Sequence, residues 1–140
     1  MLDHMTFRVS NIAASKILYE QALFPLGYRL AYDGVHDGQR VLGFGVETAE
    51  GLKIDTWLVD QKEPVTTACH LCWRAQSTSQ VDAFYKAALA AGGRCNGAPG
   101  LRAHYHPHYY GAFVLDLDGN NIEAVCHTAE AETAAQPFKN

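Results

Sequence analysis

His4-Met5-Thr6-Phe7-Arg8, near the start of the chain, recurs as His70-Leu71-Cys72-Trp73-Arg74, displaced by 66 residues. The same displacement lays Tyr19 on Tyr85, Ala22 on Ala88, Leu23 on Leu89 and Gly27 on Gly93. Met5, Phe7 and Leu18 meet residues of similar character in Leu71, Trp73 and Phe84. A gapless offset carrying so many matches in order marks two copies of one supersecondary unit.

Each copy opens on a strand. From Leu2 to Val9, Asp3, Met5, Phe7 and Val9 alternate with His4, Thr6 and Arg8; from Cys69 to Ala75, Cys69, Leu71, Trp73 and Ala75 alternate with His70, Cys72 and Arg74. Period two with one apolar side is a strand with one covered face. A helix follows each. Val81, Phe84, Tyr85, Ala88 and Leu89 form an i, i+3, i+4 stripe, Ser77 with Gln80 suits a capping box, and Gly92-Gly93 ends the helix. In the first copy Asn11 caps a helix to about Leu23, stopped by Pro25 and Gly27. Further strands are expected at 28–32, 41–46 and 52–59, then near Arg94-Cys95, at 112–117 and at 121–126, with Asp118-Gly119 as a hairpin turn. The fold class is therefore α+β: two βαβββ modules, about 1–60 and 68–128, in one domain spanning 1–128, with a C-terminal tail at 129–140. One face of each sheet is covered by its helix, and the uncovered faces of the mixed sheets pair as a cup.

Composition narrows the function classes. The 140 residues are 48% hydrophobic and 19% charged, with formal charge −4. No Lys/Arg cluster suggests a nucleic-acid partner, and no apolar run reaches the ~20 residues of a membrane span. No basic segment followed by an apolar stretch marks a signal peptide at the N-terminus, so a cytoplasmic location is expected. Cys69-x-x-Cys72 lies on a strand, where residues three apart face opposite sides. With no second Cys pair, Cys69, Cys72, Cys95 and Cys126 are expected to be buried reduced thiols.

The polar strand faces carry the candidate chemistry. His4 and His70 are one position seen twice. Each is followed by an acid on the last strand of its copy, Asp55 after 51 residues and Glu123 after 53. A lone strand histidine is ordinarily a satisfied polar residue, but a recurrent one with a recurrent acid points to a metal site on His4, His70 and Glu123, with Asp55 a weaker fourth. Imidazole and carboxylate are suitable donors for Fe²⁺, Mn²⁺, Ni²⁺ or Zn²⁺. Arg8 and Arg74, four residues beyond the histidines and on the same strand faces, suit a substrate carboxylate or a structural ion pair. Asp116-x-Asp118-Gly119 is not a calcium loop, because the position of its closing glutamate holds Val125.

The modules and the segment Tyr109 to Glu123, whose Asp118-Gly119-Asn120 turn precedes the candidate ligand, resemble the vicinal oxygen chelate superfamily of glyoxalases, bleomycin-resistance proteins and extradiol dioxygenases. The likeness runs from Leu2 to about His127. It implies that His4, His70 and Glu123 occupy metal-ligand positions, and that Asp55 stands where glyoxalase I-type enzymes carry a glutamate. It also implies a homodimer, with the cup formed within one chain or across two.

Leu101 to Tyr110 holds three His, three Tyr and one Arg in ten residues. It reads as a loop at the mouth of the cup, with His106 as acid or base and Tyr105 and Tyr110 as substrate contacts. Gly97-Ala98-Pro99-Gly100 would let it move over a ligand. Three functions stay open: a metalloenzyme on a small oxygenated substrate bound by bidentate chelation, with Glu123 or Asp55 as base in a lyase or isomerase, or His106 assisting a ring-cleaving dioxygenase; a metal-free protein sequestering a small molecule; and a structural protein with vestigial histidines.

Overall fold

A computed structural model of the chain describes residues 1–61 and 63–128; the expected tail, 129–140, lies outside them. The first module comprises β1 (Met5–Val9), α1 (Ile12–Leu23), β2 (Tyr28–His36), β3 (Gln39–Thr48) and β4 (Gly51–Asp60). The second comprises β5 (His70–Arg74), α2 (Thr78–Ala90), β6 (Arg94–Leu101), β7 (Tyr110–Leu115) and β8 (Asn121–Cys126). Each makes a four-stranded mixed sheet, in the orders β1-β4-β3-β2 and β5-β8-β7-β6. The opening strand of each pairs in parallel with the closing one: Phe7 lies opposite Leu58, and Trp73 opposite Ala124. The repeat thus holds down to strand order.

The local signals act as expected, with instructive shifts. The Asn11 side chain accepts from the backbone N–H of Ala14 at 3.0 Å, and Gly27 leaves the first helical segment at φ +87°. Ser77 caps α2, but Gln80 reaches back to the N–H of Gln76 at 2.7 Å, one residue earlier than a capping box requires. β1 begins at Met5, so His4 precedes the paired strand. Segment 97–100 is part of β6, a correction to its reading as a mobile loop.

The apolar faces of both sheets share one core. Tyr19 of α1 touches Phe7 of β1, Phe44 of β3 and Trp73 of β5, and the Trp73 indole N–H donates to Thr56 of β4 at 3.3 Å. Both helices pack within this region and against each other. The polar faces, carrying Thr6 and Arg8 on one sheet and His70, Cys72 and Glu123 on the other, therefore lie on the two outsides of the shared core.

The Asp118-Gly119 turn joins the modules as well as two strands. Buried Asp116 accepts from the N–H groups of Asp118 and Asn120, from the Asn120 amide, and from the Tyr19 hydroxyl at 2.5 Å. Asn120 in turn bonds Thr66 O at 2.9 Å and the N–H of Cys69 at 3.1 Å, and Ser10 bonds Asp118. Burial, with the nearby Asp116 carboxylate, pushes the Tyr19 hydroxyl pKa well up, so it stays a donor.

All four cysteines are free thiols, but only Cys126 is buried; Cys69 is half-buried, and Cys72 and Cys95 are exposed. The expectation of burial fails at Cys72 because it shares the polar face with His70. Among the described residues no helix is long and apolar enough to cross a membrane.

Candidate metal centre

β5 and β8 bring His70 and Glu123 together. In register, Cys72 lies opposite Glu123 and His70 opposite Asn121, so the two side chains rise from one sheet face a single step apart. His70 Nε2 is 2.9 Å from Glu123 Oε2. Glu123 is 1% exposed, whereas the His70 side chain is 54% exposed, so a sunken carboxylate sits beneath an accessible imidazole. The Tyr109 hydroxyl donates to Glu123 Oε1. Gly111 makes room for that contact: a Cβ there would stand 3.0 Å from Glu123 Oε1 and 3.1 Å from the Tyr109 ring. Burial, then Glu123, pushes the Tyr109 pKa up. Desolvation at the sulfur of Cys72, then the same carboxylate, pushes that thiol up although the residue as a whole is exposed. Both groups remain protonated donors beside Glu123.

His4 belongs to the other polar face. It lines a cavity of about 470 Å³ with Thr6, Tyr32, His36, Trp57 and Val59, and its Nδ1 is 2.6 Å from Asp3 Oδ1. Among the described residues, no three His, Cys, Asp or Glu side chains of one chain converge as a metal site. Asp55 stands apart from that cavity. A bulge between Phe44 and Gly45 opposes it, so Ile54 joins Trp57 over Gly43, and the Asp55 carboxylate accepts from Tyr28 and Thr56 at 2.8 Å each.

The loop residues divide. Tyr105 packs on Tyr109 with ring centroids 4.9 Å apart, beside the His70–Glu123 face. Tyr110 alternates to the other side of β7 and donates to Asp82 of α2 at 2.7 Å; burial and Asp82 push its pKa up to about 12. His106 meets His127, which the sequence reading passed over: their Nε2 and Nδ1 atoms lie 2.6 Å apart, with the rings stacked. The backbone N–H of His108 donates to His106 Nδ1, so His106 carries its proton on Nε2 and donates to His127. Arg74 acts electrostatically on His127, while Arg8 is exposed on β1, its backbone tied to Thr66.

Burial, then the charges of His106 and Arg74, lower the His127 pKa, with Glu123 opposing. The unfolded chain therefore binds the extra proton first, and this group's contribution to stability is lost as pH falls below about 6.5. NMR titration should find His127 protonating below free histidine, and His106→Ala should move that midpoint upward; an unchanged midpoint would exclude coupling within the pair.

The glyoxalase/bleomycin resistance protein/dioxygenase superfamily model matches residues 1–124. A glyoxalase/bleomycin resistance protein from Albidiferax ferrireducens T118 is similar at 27% identity and TM-score 0.69, over 90% of this chain and 98% of the other. Glyoxalase I from Zea mays shares the fold at 17% identity and TM-score 0.65, over 91% of this chain but only 44% of its own. The genomically encoded fosfomycin resistance protein FosX from Listeria monocytogenes does so at 15% identity and TM-score 0.63, over 94% and 96%. A search of curated protein sequences finds no match.

Proposed function

This chain belongs to the glyoxalase/bleomycin resistance protein/dioxygenase superfamily, and from that premise we propose a metal-dependent enzyme that acts on a small oxygenated substrate. His70 and Glu123 of one chain hold a divalent ion together with His4 of a second copy. The observation that carries this reading is the 2.9 Å approach of His70 Nε2 to Glu123 Oε2. Two ligand atoms at right angles on an ion with bonds of about 2.1 Å lie about 3 Å apart, so the pair is spaced as neighbouring ligands. The second copy enters because the face bearing His4 lies on the other outside of the core.

A bound divalent ion would supply Lewis acidity to two adjacent substrate oxygens. The chain's own groups manage the protons. Glu123 is the carboxylate able to take one, and Tyr109 holds its Oε1 and orients it. That arrangement favours a lyase or isomerase over a ring-cleaving dioxygenase, since His106 is turned to His127.

The aromatic cavity of Tyr32 and Trp57 favours a second reading, metal-free sequestration of a small molecule. Metal analysis of untagged protein separates the two. The enzyme reading expects about one equivalent per chain; protein that stays metal-free after incubation with Fe²⁺, Mn²⁺, Ni²⁺ and Zn²⁺ would leave sequestration.

A further inference from the structure

A second cavity, about 360 Å³, opens beside the His70–Glu123 pair, lined by Asn96, Gly97, Arg102, Tyr105, Phe113 and Asn121. We infer that it is the subsite for an oxyanion of the substrate, a carboxylate or phosphoryl group, gripped by Arg102 and the Asn121 amide. The inference rests on reading His70 and Glu123 as the reactive pair, and it names a chemical class for what they act on.

Position and charge argue for it. Phe113 lies opposite Glu123 in the β7–β8 ladder, its ring is 6.2 Å from that of His70, and the Arg102 guanidinium stands over it at 5.5 Å. Among the described residues of this lining Arg102 is the only charged one, and none of them is a carboxylate. Two guanidinium contacts go to backbone, Nη2 to Ala98 O at 2.7 Å and Nη1 to Leu101 O at 3.5 Å. A guanidinium has five N–H donors, so three remain for a ligand.

The surroundings are built to keep that cation in place. A Cβ at Gly97 would lie 2.9 Å from Phe113 and 3.4 Å from Arg102 Nη2; one at Gly100 would lie 3.1 Å from Nη1. Glycine at both ends of the Gly97–Gly100 run thus clears the guanidinium's seat on the ring. Independently, the Asn121 side-chain oxygen is buried without a hydrogen-bond partner. A buried unpaired amide oxygen is costly unless something binds it. A hydroxyl beside the oxyanion would satisfy it, and the amide turned over would donate to the oxyanion itself.

Titration of chelator-treated protein with lactate, acetate and inorganic phosphate, followed by the NMR signals of Arg102 Nε–H and the Asn121 amide, tests the subsite without any metal. Saturable shifts with lactate or phosphate are expected, with affinity falling at least about tenfold in Arg102→Gln, partly retained in Arg102→Lys and unchanged in Arg29→Gln, a surface residue paired with Glu47 on the other sheet. Stronger binding of lactate than of acetate would assign the Asn121 oxygen to a hydroxyl; the stronger of lactate and phosphate identifies the oxyanion. Absence of saturable shifts with all three, or equal binding by Arg102→Gln, would overturn the inference. Metal content of the same preparations, measured before chelation, reports separately on His70 and Glu123.

Discussion

Replacing His70 with alanine is expected to abolish the stoichiometric metal binding proposed for this chain. The imidazole is half exposed, and its Nε2 contacts a carboxylate that is itself almost fully buried, so its loss would remove a proposed ligand without emptying the core. Removing an outer partner of a metal ligand costs about 10–100-fold in affinity, and removing the ligand itself should cost more. Tyr109→Phe supplies the graded comparison, because it deletes only the donor on Glu123 Oε1; its loss should fall within that 10–100-fold range. Calorimetric titration with Zn²⁺ and Mn²⁺ checks both. Wild-type affinity in His70→Ala would remove the imidazole from the site, and a loss in Tyr109→Phe as large as in His70→Ala would make Tyr109 more than a support.

The largest effect on stability is expected at Asp116→Ala. Its buried carboxylate receives two backbone N–H groups of the hairpin turn, the Asn120 amide and the Tyr19 hydroxyl of the first module. Truncation strands several of these donors where water has little access. At about 1–3 kcal/mol for a buried group left unpaired, a total near 3 kcal/mol or more is reasonable. For a domain of this size that lowers Tm by roughly 10 °C. Tyr19→Phe should cost about 1–2 kcal/mol, and adding it to Asp116→Ala should cost less than the sum, since both remove the same bond. Urea unfolding measures all three; a change under about 0.5 kcal/mol in Asp116→Ala would show that the turn does not tie the modules together.

Much of this was legible in the chain. The 66-residue offset equates His4 with His70, and period two puts each opposite the apolar face that its helix covers. The repeat also predicts that both modules fold alike; the structure supplies their common strand order and the parallel pairing of first and last strands. Alternation also placed Cys72 on the polar face, and there the general tendency of cysteine to be buried was the weaker argument. The tyrosines show what register adds. Phe113 pairs with Glu123 in the ladder, so the odd-numbered residues of β7 share the face of Glu123, and Tyr109, just before the strand, continues that face while Tyr110 turns to α2. The turn alone does not reveal that parity, because the bends between Leu115 and Asn121 take up five residues whose conformation must be known first.

Other parts had no local signature. The bulge opposite Phe44 moves Ile54 onto the face where simple alternation puts Asp55. A composition of Gly-Ala-Pro-Gly reads as a loop, yet here the glycines admit an arginine lying over a ring within a paired strand. The packing of the modules depends on long-range contacts of Trp73 with Tyr19 and Thr56. Those contacts join the apolar faces of the two sheets in one core, so the faces that carry His4 and His70 point away from it, and the proposal of a centre completed by two chains rests on that.

That last point admits a direct measurement. His4→Ala and His70→Ala chains, each unable to hold the ion alone, are co-expressed and their metal content is determined. In a shared site, a mixed dimer unites His4 of one chain with His70 and Glu123 of the other once, and leaves the second site without either histidine. Random pairing makes half the dimers mixed, so the mixture should recover about a quarter of the wild-type metal, while each variant alone recovers none. A mixture no richer in metal than its separate components would contradict a centre shared between two copies.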